Sequence, residues 1–182
     1  MAGRCDPCPG ATIISAETPA RPDLGFVWRH PAHVIALGGG AGLIPKAPGT
    51  AGTLLAFPIY WGLASLFTAP AVLAAIVLVL VVLGFALGIW ACGRTGRALG
   101  VADHGGIVWD EIIAFLLVLV FTPAGYLWQV SAFLLFRLFD ILKPPPIRYF
   151  DRKWKNGFGV MFDDLLAACC TLLVLAVASM LI

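Results

Sequence analysis

From His33 onward, long apolar runs alternate with short segments of glycine, proline and charge, which predicts helices rather than strands. The apolar runs place helices over residues 53–67, 71–92, 107–122, 127–143 and 160 to the C-terminus. Ahead of them, a short helix is expected over 31–37. The four glycines within 38–42 then break regular helix, so residues 34–44 read as a re-entrant segment lined by protein. The segment PKAPGT (45–50) is turn-forming, with Thr50 or Thr53 as the N-cap of the helix that follows. The polar loop 93–106 and the basic loop 144–158, which begins with three prolines, separate the later runs.

Composition turns this pattern into a membrane protein. The chain has 182 residues, 60% hydrophobic and only 12% charged, against roughly a quarter charged in soluble domains. The expectation is an all-α, polytopic helical membrane protein: about five spans in a single compact bundle over residues 31–182, preceded by a flexible N-terminal arm, 1–30. The arm carries charge and proline with no apolar run of signal-peptide length. Charge placement orients the bundle. The turns at 68–71 and 122–125 carry none, while Lys46, Arg94, Arg97, Arg148, Arg152, Lys153 and Lys155 share the other side. That side is cytoplasmic by the positive-inside rule, and the C-terminus emerges opposite.

Cysteine chemistry is not supported. Cys5 and Cys8 form one isolated CxxC, and Cys92, Cys169 and Cys170 lie in apolar runs as small hydrophobes. His30, His33 and His104 show no ligand spacing. The net charge of +2 is uninformative as a sum, and no nucleic-acid partner is expected.

The same topology brings four polar fragments to one face: Lys46–Thr50 before the first helix, Asp110 and Glu111 opening the third, Arg137, Asp140 and Lys143 closing the fourth, Asp163 and Asp164 opening the fifth. Singly, each has a bland reading as helix-dipole charge, intrahelical ion pair or snorkelling lysine. Jointly, five carboxylates out of ten acidic residues meet at one interface. They would repel unless a cation joined them, and Mg2+ takes carboxylate, water and substrate-phosphate oxygens. The expected metal ligands are Glu111, Asp163 and Asp164, with Asp110 or Asp140 completing the shell. Lys46, Arg137 and Lys143 would neutralise a phosphate, aided by backbone N–H groups at Gly49 and Thr50. Asp110, Glu111, Arg137 and Asp140 form the catalytic group, with attack by water and a covalent aspartyl-phosphate both open.

KAPGTAGT (46–53), IVWDEI (107–112), RLFDILKPPPI (137–147) and GFGVMFDDLLA (157–167) resemble, in order, the motifs of the phosphatidylglycerophosphatase A family. The resemblance covers about residues 33–182 and leaves the arm outside. It implies an all-helical fold, Mg2+ dependence and a phospholipid substrate. The implied reaction converts phosphatidylglycerophosphate to phosphatidylglycerol in a bacterial inner membrane. The rival reading is a small transporter or ion-binding membrane protein, which would place ionisable residues near mid-span rather than at helix ends. The DG-x2-AR…G-x3-D-x3-D pattern of phosphatidyl transfer is absent. Oligomeric state is not legible.

Overall fold

Proline opens three of the helices, and the left-handed residues Gly100 and Lys143 close two. The computed structural model describes residues 22–145 and 147–181, and every regular element among them is helical. In order these are α1 (Leu24–Trp28), α2 (Pro31–Ala36), a 3-10 segment (Gly38–Leu43), α3 (Pro48–Leu66), α4 (Pro70–Leu99), α5 (Trp109–Phe121), α6 (Tyr126–Leu142), α7 (Ile147–Lys153) and α8 (Gly157–Leu181). Pro31, Pro48 and Pro70 each stand at the start of a helix, where the missing N–H has no partner to lose.

Several boundaries differ from the sequence reading. Part of the expected arm is helical: the Asp23 carboxylate caps α1 by accepting from the Phe26 N–H at 2.7 Å, and Phe26 stacks on His33. The Cys5–Cys8 pair lies outside the described residues. Neither Thr50 nor Thr53 is the cap of α3, which starts earlier, at Pro48 after left-handed Ala47. The Thr53 hydroxyl instead donates to the Gly49 carbonyl at 2.9 Å. α4 runs through Gly93 and Gly96 to Leu99, where Gly100 at φ 73° ends it, so the polar loop shrinks to 100–108. The basic loop contains α7, whose start is tied by the Ile147 N–H to the Pro144 carbonyl at 2.8 Å.

α5 is the centre of the bundle. Nine of its thirteen residues are buried, and it packs against α3, α4, α6 and α8. Phe115 is fully buried and meets Phe57, Phe133 and Phe136 at 5.3–6.0 Å between ring centroids. Trp109 donates to the Gly84 carbonyl at 2.9 Å, fixing α5 to α4. Small residues let the backbones approach: a Cβ at Gly88 would strike the Met161 sulfur, and one at Gly157 would strike the Ile89 carbonyl.

The outside of the bundle is apolar, with Val82 67%, Leu127 84% and Leu173 67% exposed. α4 and α8 are long and apolar enough to cross a membrane. An apolar exterior around a core containing buried carboxylates inverts the usual soluble arrangement and supports membrane association. α5, only about 20 Å long at 1.5 Å per residue, is enclosed by its neighbours.

Candidate active site

The start of α5 carries Asp110 and Glu111, 6% and 8% exposed, and the second turn of α8 brings Asp164, 3% exposed, against them. One carboxylate oxygen from each lies within 4.8 Å of the other two. Asp110 Oδ1, Glu111 Oε2 and Asp164 Oδ2 are buried with no hydrogen-bond partner. Buried carboxylate oxygens in this state are costly unless a cation or donor meets them.

Arg137 reaches in from the last turns of α6. Its Nη1 donates to Asp140 Oδ2 at 2.6 Å and to Glu111 Oε1 at 3.4 Å, and lies 3.5 Å from Thr53 Oγ1. Its Nε is buried without an acceptor. The start of α3 leaves the space for this arrangement. A Cβ on Gly49 would overlap the Glu111 carboxylate and come 3.1 Å from Arg137 Nη1, and one on Gly52 would meet Val108 at 2.7 Å.

A second group lies nearby. Asp103 of the 100–108 connection, Asp151 of α7 and Asp163 of α8 also present oxygens within 4.8 Å of one another. Lys143, the left-handed residue ending α6 at φ 41°, ψ 62°, reaches them all. Its Nζ is 3.0 Å from Asp151 and 3.8 Å from Asp103, and it donates to Asp163. Burial opposes charge on Lys143, yet Asp163 and Asp151 outweigh it and hold the ammonium above the ordinary lysine range. Burial also acts upward on Asp151, but Lys143 and Lys155 bring it below the usual carboxylate value.

These features sit inside a recognisable sequence frame. A profile of the family described as phosphatidylglycerophosphatase A matches residues 34–179. The chain is 47% identical over 146 residues to phosphatidylglycerophosphatase A of Haemophilus influenzae, covering 80% of this chain and 86% of that one. It is 42% identical over 139 residues to phosphatidylglycerophosphatase A of Escherichia coli, covering 76% and 77%. The chain belongs to the phosphatidylglycerophosphatase A family. A Bacteroides thetaiotaomicron protein, provisionally named a phosphatidylinositol-3-phosphatase, is 38% identical over 148 residues, covering 80% of this chain and 91% of that one. No solved structure matches the chain.

Within the family frame, the structure brings Asp110, Glu111, Asp164, Arg137, Asp140 and Gly49 together. It groups Asp163 and Lys143 with one another rather than with that trio. Lys46 is exposed in the approach to α3, and Thr50 is half-buried in its first turn. Sequence reasoning missed Thr53, Asp103 and Asp151. Thr53 follows Gly49 by one helical turn, a spacing that was legible, whereas Asp103 and Asp151 lay in segments that read as solvated loops.

Proposed function

We propose that the chain is a phosphatidylglycerophosphatase: a phosphomonoesterase that hydrolyses phosphatidylglycerophosphate to phosphatidylglycerol and inorganic phosphate. The observation that carries the reading is the convergence of three buried carboxylates, each with an unpartnered oxygen, beside a buried guanidinium whose Nε lacks an acceptor. The donor set fits a hard divalent cation, and Mg2+ is the ion such oxygen ligands and a phosphate share. Asp110, Glu111 and Asp164 would hold it. When bound, it would polarise the phosphoryl group and offset the charge that develops on its oxygens.

The chain's own residues do the rest. Arg137 presents its free Nε to a phosphate oxygen while Asp140 holds the far side of the guanidinium, a fixed fork aimed where negative charge accumulates. Gly49 keeps that space open, and the N–H groups at the start of α3 face the same anion. Lys46, exposed at the approach, attracts the headgroup. A water oxygen bonds to phosphorus, the bond to the glycerol oxygen breaks, and that oxygen takes up a proton.

In the membrane, α3, α4, α5, α6 and α8 are the five crossing elements. The end bearing the carboxylates, Arg137 and the basic residues faces the cytoplasm of a bacterial inner membrane, by the positive-inside rule. Acyl chains stay in lipid against the apolar exterior while the phosphate is cleaved near headgroup depth. Ionisable residues gathered at helix ends favour this reading over an ion path through the membrane.

The test is phosphate release by the purified protein in mixed micelles. Phosphatidylglycerophosphate would be compared with phosphatidate, phosphatidylinositol 3-phosphate and a soluble phosphomonoester. The proposal expects the highest kcat/KM on phosphatidylglycerophosphate. Preference for the inositol lipid would reassign the substrate, and no release from any lipid would remove the enzyme reading.

A further inference from the structure

Two carboxylate trios of similar span sit at the same end of the bundle, and they differ in what lies between their oxygens. Asp110, Glu111 and Asp164 leave one oxygen each without a hydrogen-bond partner. In the other trio, Asp103, Asp151 and Asp163 come from three separate elements and surround one ammonium group. An ammonium has three donors and no acceptor, and here three carboxylates face it.

The backbone around that ammonium is strained. Lys143 adopts φ 41°, and among the described residues only Ala47 is another non-glycine at positive φ. Pro144 follows directly, and a proline pushes the residue before it towards extended conformations. Strain of this kind persists where the surroundings over-determine it. The ion pairs to the 100–108 connection, α7 and α8 supply that determination. Asp163 also accepts from the Asp164 N–H at 3.2 Å, so the pair with Lys143 bears on the turn that presents Asp164 to the first trio.

We propose that Lys143 is a tethered cation: its ammonium fills the Asp103–Asp151–Asp163 trio in place of a second metal ion and positions the acidic turn of α8. It rests on the reading of the first trio as the one divalent-cation site. Lys143 is then a positioning residue, and contact with the phosphate falls to Arg137. A compact ammonium and a divalent cation seek the same oxygens, so removing the first exposes a site for the second.

The experiment counts Mn2+ bound to the full chain in detergent micelles by electron paramagnetic resonance, using the metal alone. Mn2+ reports oxygen sites of the Mg2+ type. Wild type is expected to bind one ion. Lys143→Gly removes the ammonium and relieves the positive φ, so the helical fold is retained and the count rises to two. Adding Asp151→Asn to that variant returns it to one, and Lys143→Arg, which keeps a tethered charge, stays at one. Two ions in wild type, a count needing no variant, would overturn the tether. So would a folded Lys143→Gly variant that gains none. A rise from none to one between wild type and Lys143→Gly would support the tether while removing the metal reading of the first trio.

Discussion

At the scale of single residues, Gly49 and Arg137 separate chemistry from packing. Alanine is ordinarily better than glycine in a helix by roughly 0.5–1 kcal/mol. At position 49 its Cβ would fall on the Glu111 carboxylate. Gly49→Ala should therefore keep its helix content by circular dichroism yet lose activity on the order of 100-fold, the scale of an ångström-sized misplacement. Near-native turnover would mean that Glu111 is not part of the machinery. Arg137→Lys keeps the charge and loses the planar guanidinium, whose Nη1 meets Asp140 and Glu111 while its Nε is left for the phosphate in the proposed mechanism. Steady-state kinetics should show kcat falling by about 100-fold with a smaller change in KM, the pattern of a contact made mainly in the transition state. If lysine largely restores kcat, Arg137 and Asp140 are a scaffold pair.

At the scale of elements, α2 is docked on α4 by a buried histidine. His33 Nδ1 is 2.9 Å from Thr95 Oγ1, whose hydroxyl donates onward to the Ala32 carbonyl at 3.3 Å. Burial first, then the charges of His30 and Arg94, hold His33 below its ordinary value of 6.5. A histidine depressed in the folded state binds its proton more readily when unfolded, so its contribution is full above about pH 6.5 and fades as the pH falls below. Thermal melts should show stability dropping between pH 7 and 5, and His33→Asn should flatten that slope. An unchanged slope would remove His33 from the account. The apolar runs were legible because each is a long stretch bounded by glycine, proline or charge. Their ends were less so: Pro48 starts α3 ahead of the threonines that read as caps, and glycines 93 and 96 stay helical because α8 and the 100–108 connection pack closely on them. The sequence showed acidic pairs near the starts of α5 and α8, but not that Asp164 would join Asp110 and Glu111 while Asp163 turned to the other trio. That second trio could not be read, because nothing local shows that a lysine before proline turns left-handed, or that α7 brings Asp151 to meet it.

At the scale of the molecule, the proposed orientation puts the charged end of the bundle and the uncharged turns at 68–71 and 122–125 on opposite sides of the membrane. In a cysteine-free background, cysteines at 69 or 124 should label from outside intact cells, and those at 100 or 155 should not. Outside labelling at 155 would reverse the proposed orientation. If the Asp110–Glu111–Asp164 trio drives lipid phosphate hydrolysis, its metal dependence and its loss on substitution appear in one assay. Phosphate release from phosphatidylglycerophosphate would be measured on wild type and on Asp164→Asn, with Mg2+ titrated from chelated to saturating. Asp164→Asn is nearly isosteric, and as mere dipole-favoured charge it would cost at most ~1 kcal/mol of helix stability. Wild type should release phosphate in a Mg2+-dependent way, and a folded Asp164→Asn should release little at any Mg2+ level. Equal turnover by the two proteins, or wild-type release indifferent to chelation, would contradict that role for the trio.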